Sequence, residues 1–300
     1  GITDPFNARL SLLRHKDEIS GKDIFSEFPS QVPAKIYDDA YWQSDAWDPM
    51  DYGRDYDFSR PFFDQFRELM YDVPWVSRSI VNLVNSDYSP GASNLKDCYL
   101  CFDMGSCERC AYVTAANSMK DSLDCTSLAR DEFCYECTNT VDSYQTRFSH
   151  RCEKCHDVWF SRDLSGCSNC FGCANLRNKQ YYIFNRPYSR EDYFTTLEQF
   201  GLGSHQSLEE IKKQVRQFSL SLPHKFMSGT HNVNVSGDII ASGKNVHDSF
   251  EVTDGENIRY SQGLALGAKD SYDFTIWSEH SELMYEVLVS GKGCSNVQFT

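Results

Sequence analysis

The sequence predicts a mainly β chain wound as a parallel β-solenoid, and three observations predict it. Eleven of the twelve cysteines between Cys98 and Cys173 fall in register with a nine-residue repeat. Cys98, Cys107, Cys125, Cys134, Cys152 and Cys170 share one phase, Cys101, Cys110, Cys137, Cys155 and Cys173 a second, and Cys167 is off both. Between the cysteines the same positions hold Ala116, Met119, Leu128, Ser143, Thr146, Ser161 and Leu164, a set that suits an interior better than a metal site, where Leu or Met cannot replace a thiolate. Asn85, Asp103, Asp121, Asn139, Asp157 and Asn175 recur with a strict 18-residue period. Asx side chains bond local backbone and tolerate left-handed geometry, which a repeated turn needs. Self-similarity at a short fixed period is the signature of repeat architectures. The expectation is therefore an 18-residue coil of two unequal halves, with cysteines as its inward face and the Asx residues as a column at one corner. Calcium on that column, as in β-rolls, is disfavoured because the glycine pairs of that repeat are missing.

The elements follow in order. Residues 1–58 read as an irregular, acidic, aromatic N-terminal module. Residues 59–79 read as a capping helix: Pro61 suits its first turn, Phe62, Phe66, Leu69 and Met70 form its apolar stripe, and Pro74 ends it. A stack of coils has an open edge, and a cap protects it. Residues 80–187 are the cysteine-ladder solenoid. Residues 188–228 are a helical insertion, capped at Ser189 and, by a Ser207/Glu210 capping box, at a second helix. Residues 229–300 alternate like half-buried strands that recur every ten to thirteen positions, which reads as a second solenoid segment with longer half-coils.

Composition narrows the function classes. Seventeen Tyr, 20 Phe and 5 Trp exclude a disordered chain. A net charge of -14 works against a phosphate-binding surface, so nucleic acid is not an expected partner. No run of 18 apolar residues exists, and no membrane partner is expected. No signal pattern opens the chain, and the expected location is cytoplasmic, where thiols stay reduced. Thirteen cysteines, an odd number spaced by register, fit a disulfide framework poorly.

Two stretches carry a resemblance. Residues 47–63, from Trp47-Asp48-Pro49 to Arg60-Pro61-Phe62-Phe63, and residues 170–185, from Cys170-Phe171-Gly172-Cys173 to Tyr182-Ile183-Phe184-Asn185, resemble uncharacterised cysteine-rich repeat proteins of candidate-phylum bacteria. That resemblance covers most of residues 36–300 and implies architecture rather than an activity. Members of the group carry a zinc-ribbon-like pair of C-x2-C motifs ahead of the Trp-Asp-Pro motif. The matching positions here are Asp17, Ser20, Asp38 and Tyr41, so the resemblance implies a module that folds without zinc.

Cys134, Cys137, Cys152 and Cys155 have zinc-ribbon spacing, and Cys152, Cys155, Cys170 and Cys173 repeat it. These six are the candidate metal ligands, for zinc or iron–sulfur. Cys98, Cys101, Cys107, Cys110 and Cys125 complete the ladder. One cause, an inward repeat, explains both sets, and interior packing without a cofactor is the first expectation. His150 and His156 flank Cys152 and Cys155 but would point away from them, against Cys–His catalysis. Asp45, Asp48, Asp51, Asp55 and Asp57 suit paired-carboxylate chemistry on glycosides or, more simply, solvated corners. No P-loop, GxGxxG, HExxH or GxSxG motif occurs. The sequence therefore predicts a non-catalytic scaffold or binding protein that meets a protein partner, or itself, through exposed aromatics such as Tyr99, Tyr135, Tyr144 and Trp159. Metal binding and carbohydrate chemistry are the alternatives.

Overall fold

The computed structural model describes residues 12–300; the first eleven residues of the expected N-terminal module lie outside them. Strand accounts for 40% of the chain against 16% helix, so the class is mainly β. Two compact units divide the chain, Gly1–Leu222 and Pro223–Thr300.

The N-terminal segment is more regular than expected. Leu13–Lys16 and Asp23–Ser26 pair as antiparallel strands. The turn between them closes on Gly21 at φ +66 and on Asp17, a buried carboxylate. Asp17 accepts the Ser20 N–H at 2.6 Å and the Asp38 N–H at 2.9 Å. These bonds, one local and one to the segment at Asp38, give order where composition suggested none. Glu27, just after the hairpin, accepts from Ser79 N–H at 3.1 Å, and Phe25 meets the Tyr88 ring at 5.1 Å. The hairpin thus abuts the first strands of the long ladder. Helix α1, Phe62–Asp72, buries none of its residues. Its expected inward stripe is exposed instead, with Phe62 at 54%, Phe66 at 46% and Met70 at 38%.

From Ile80 to Ile183 every parallel pairing has the same offset, 12, which the Asn85–Asp97 side-chain bond shares: Ile80 to Ala92, Thr114 to Thr126, Cys152 to Leu164, Cys170 to Tyr182. The chain therefore returns beside itself at that offset, a length called a lap below. Every third residue from Ala92 to Cys173 is buried without interruption. The residue just before each buried one has positive φ, from Gly91 to Gly172. A lap is thus four three-residue sides with a left-handed corner between them.

This corrects the 18-residue coil. Nine and 18 are multiples of the true step of three, so both appear as periods, but neither is a lap. Cys167 fits the three-residue step that the nine-residue phases missed. The six Asx residues at 18-residue intervals all have positive φ, as their chemistry allows. They do not form a column, because that interval is one and a half laps and places neighbours on opposite sides. The stacked partners lie one lap away: Asn85 Nδ2 donates to Asp97 Oδ1 at 2.9 Å, and Asp121 receives Arg109 on both oxygens, at 2.6 and 2.8 Å.

After the ladder come α2, Arg190–Gln199, capped by Ser189, whose hydroxyl accepts from Asp192 N–H, and α3, His205–Leu220. The cap of α3 is Ser204, not the expected Ser207: the helix starts one turn earlier, and Ser204 Oγ receives the Ser207 N–H. The two helices bury Tyr193 and Ile211 against Phe160, Phe171 and Ile183, a second core outside the laps.

In the second unit the strands again pair in parallel, and the spacing that suggested half-coils is a full lap. The pairing offset is 11 at Val233/Lys244, 12 at Gly237/Ser249 and 13 from Glu256/Lys269 onward. Gly237 sits at the first shift with φ +133, and a Cβ there would lie 1.7 Å from the Ser249 carbonyl oxygen. Only glycine fits that bulge.

Candidate functional site

The interior of the laps explains the cysteines. At many corners, where the inward residue one lap below is Ser, Cys or Asp, its side chain accepts the N–H of the inward residue above. Cys98 N–H donates to Ser86 Oγ at 3.0 Å, Cys134 N–H to Ser122 Oγ at 3.1 Å, and Cys173 N–H to Ser161 Oγ at 3.0 Å. Cys107 Sγ accepts from Met119 N–H in the same way, at 3.3 Å. The thiols and hydroxyls in turn donate to the carbonyl two residues earlier, as Cys137 does to Tyr135 at 3.4 Å and Ser143 to Val141 at 3.1 Å. Cys, Ser and Thr are interchangeable here because each is small, donates and accepts.

The six candidate metal ligands are all buried. Cys134 touches Cys137, Cys152 touches Cys155, and Cys170 touches Cys173. The three pairs do not stack on one another, for the 18-residue interval sets them on alternating walls. Cys134 lies between Ser122 and Thr146, Cys152 pairs with Leu164, and Cys170 lies between Val158 and Tyr182. Lap-to-lap thiol contacts occur elsewhere, at Cys98/Cys110 and Cys125/Cys137, and Cys167 joins Cys170. Among the described residues no group of three or more His, Cys, Asp or Glu is arranged to hold a metal ion. Burial pushes the Cys107 thiol up to about 11, which keeps it protonated at neutral pH.

The other candidates resolve into local roles. His150 is half-buried in a small cavity with Phe160 and Phe218, and burial, aided by Arg151, lowers its pKa. His156 stacks on Tyr144 at 5.1 Å. Asp48 caps a 3-10 turn through Met50 N–H at 2.8 Å, and Asp57 accepts from the Ser59 N–H at 2.8 Å and hydroxyl at 2.6 Å. Asp17, Ser20 and Asp38 come together through the bonds described above. Burial would raise the Asp17 pKa, but the hydrogen bonds from Ser20 and Asp38 hold it below the usual carboxylate range.

A feature that sequence reasoning missed lies on the outside of the ladder. One outward column runs Leu123, Tyr135, Arg147, Trp159, Phe171 and Ile183, each a lap from the next. Helices α2 and α3 cover its last two rungs, where Phe171 and Ile183 are fully buried. The earlier rungs, half-buried at Trp159, Arg147 and Tyr135 and exposed at Leu123, form the floor of a groove of about 410 Å³. Phe133 and Phe148 line it, with Leu202 and Leu208 from the helical pair. The Arg147 guanidinium lies over the Trp159 ring at 4.2 Å. No family model matches this chain, and no curated protein does either. The groove is thus read from its own residues: mostly apolar and aromatic walls, with Arg147 stacked on Trp159 and Lys212 lying over Phe148 at 4.8 Å, the composition of binding clefts. A separate polar groove in the second unit runs beside a chain of amides, Asn234 to Asn245 to Asn257 to Asp270, linked at 2.9, 3.0 and 2.7 Å.

Proposed function

We propose that this chain is a non-catalytic binding protein built on a β-solenoid, and that the outward column of its first unit is the face it presents to a partner protein or to a second copy of itself. The observation that carries this reading is the continuity of that column. Under α2 and α3 it behaves as core; beyond them it opens toward solvent, with Trp159 and Tyr135 half-buried and Leu123 exposed. Exposed apolar surface of that kind marks interaction sites. The buried cysteines, His156, Asp48 and Asp57 are engaged in lap-to-lap bonds, stacking and capping, which supports a structural role for them. Sedimentation across a concentration series, together with capture experiments, tests the reading. The expected result is association that a Tyr135→Ala/Trp159→Ala pair weakens at least tenfold. A chain that stays monomeric and captures no protein, or that associates equally well with the pair replaced, would falsify it.

The touching thiols favour one second reading, uptake of a soft metal by the interior. Elemental analysis decides it: under half an equivalent of transition metal per purified chain rejects that reading.

A further inference from the structure

We propose that the groove beside Trp159 takes a small carboxylic acid with a flat aromatic body, its carboxylate paired with Arg147 and its ring held among the apolar walls that Trp159 and Phe133 help to form. The proposal rests on the reading of this face as a binding surface and names the chemistry it selects. Arg147 is half-buried and stacked on Trp159 at 4.2 Å, and its side chain has no hydrogen-bond or ion-pair acceptor among the described residues. Stacking covers one face of the guanidinium and leaves its N–H edge to bind a planar, two-oxygen anion. The neighbouring carboxylates are already engaged. Asp121, at the rim, is held by Arg109 at 2.6 and 2.8 Å, and Glu136 is held by Lys212 at 3.1 Å. A cation in apolar surroundings without a counterion is costly, and an anion supplied by a ligand removes that cost. The groove's volume of about 410 Å³ lies in the range of small-molecule sites. Its aromatic walls at Phe133, Phe148 and Trp159 favour a flat apolar body over a sugar.

Calorimetry with 2-naphthoate and its uncharged amide, 2-naphthamide, tests the proposal on the full chain. The acid is expected to bind about tenfold or more tightly than the amide, since the charged hydrogen bond is the difference. Arg147→Gln should bring acid and amide to the same affinity, and Arg147→Lys should restore part of the preference. Trp159→Phe should weaken both while keeping the preference. Thermal melts of each variant confirm that it is folded; Arg147→Lys, which keeps the charge and much of the stem, stands in if Arg147→Gln does not fold. Equal affinity for acid and amide in the parent, or no binding of either at millimolar concentration, overturns the proposal. Binding of acetyl-Trp-Glu-amide without binding of 2-naphthoate also overturns it and assigns the groove to a protein segment. Sedimentation of the same samples reads self-association separately, so the two readings fail independently.

Discussion

An inward serine or cysteine in the first unit has a backbone duty: it receives the N–H one lap above and donates to a carbonyl of its own lap. Cys107→Ser should therefore be nearly neutral, whereas Cys107→Ala leaves the Met119 N–H without its acceptor and should cost about 1–2 kcal/mol. Chemical denaturation of both variants checks this, and equal losses would refute the duty. Asp131 is the exception among inward residues, a fully buried carboxylate bonded by Thr140 Oγ1 at 2.9 Å and Ser143 N–H at 2.6 Å. Burial pushes its pKa up to about 6, above the ordinary carboxylate value of about 4. The fold thus binds this proton more tightly than the unfolded chain does. Its contribution to stability is full below about pH 4 and is lost as pH rises through about 6, on the order of 3 kcal/mol in all. Asp131→Asn should flatten the stability profile between pH 4 and 7; an unchanged slope argues against the assignment. The burial of the cysteines was legible from what replaces them, because Ala, Leu, Met, Ser and Thr share only size and a tolerance for enclosure. Asp131 was not legible: no period marks a charge as inward until the step of three is known.

Helices α2 and α3 act as a partial lid on one outward column, and Ile211 is a buried contact between lid and column. Ile211→Ala should cost about 2–4 kcal/mol by loss of packing. Proteolysis should then cut first between residues 200 and 204, where the helices join. A melt and a cleavage pattern identical to the parent would mean that the lid is held by something else. Both helices could be placed from their apolar spacing and the Ser189 cap. The start of α3 was misplaced because Ser204 and Ser207 are both competent caps, and the choice depends on where the chain turns after Gly203. The exposed stripe of α1 shows the limit of periodicity. Phe62, Phe66 and Met70 define a face but not what covers it. The groove was illegible for the same reason: its floor residues are a full lap apart in sequence, and its far wall, Leu202 and Leu208, comes from another element.

At the scale of the molecule the lap length is the quantity that sequence periodicity left undetermined. Deleting residues 108–119 removes one whole lap and keeps every column in place, so the shortened chain should fold with a single thermal transition. Deleting residues 108–116 removes only three sides and turns every later residue onto the next wall, and that chain should not fold cooperatively. Similar melts for the two would argue against a four-sided lap. A chromogenic disulfide should find Cys294 first in the native chain, since it is the one partly exposed cysteine among the thirteen, and all thirteen after unfolding. Rapid native labelling of several thiols would contradict the buried interior. The repeat itself was plain in the sequence; its length was not, because three divides nine, twelve and eighteen alike and only the hydrogen-bond register separates them. The shifting offset of the second unit has a further consequence. In a uniform ladder a chain that slips by one whole lap during folding recovers almost all its backbone bonds, so the only errors it meets are side-chain mismatches. The first laps of the second unit change their offset from 11 to 12 and then to 13, so no common step runs across those changes. A strand that docks one lap out of place across either change would find a partner of the wrong length, so the backbone itself opposes slippage through the start of the second unit, while the later laps keep a uniform offset of 13.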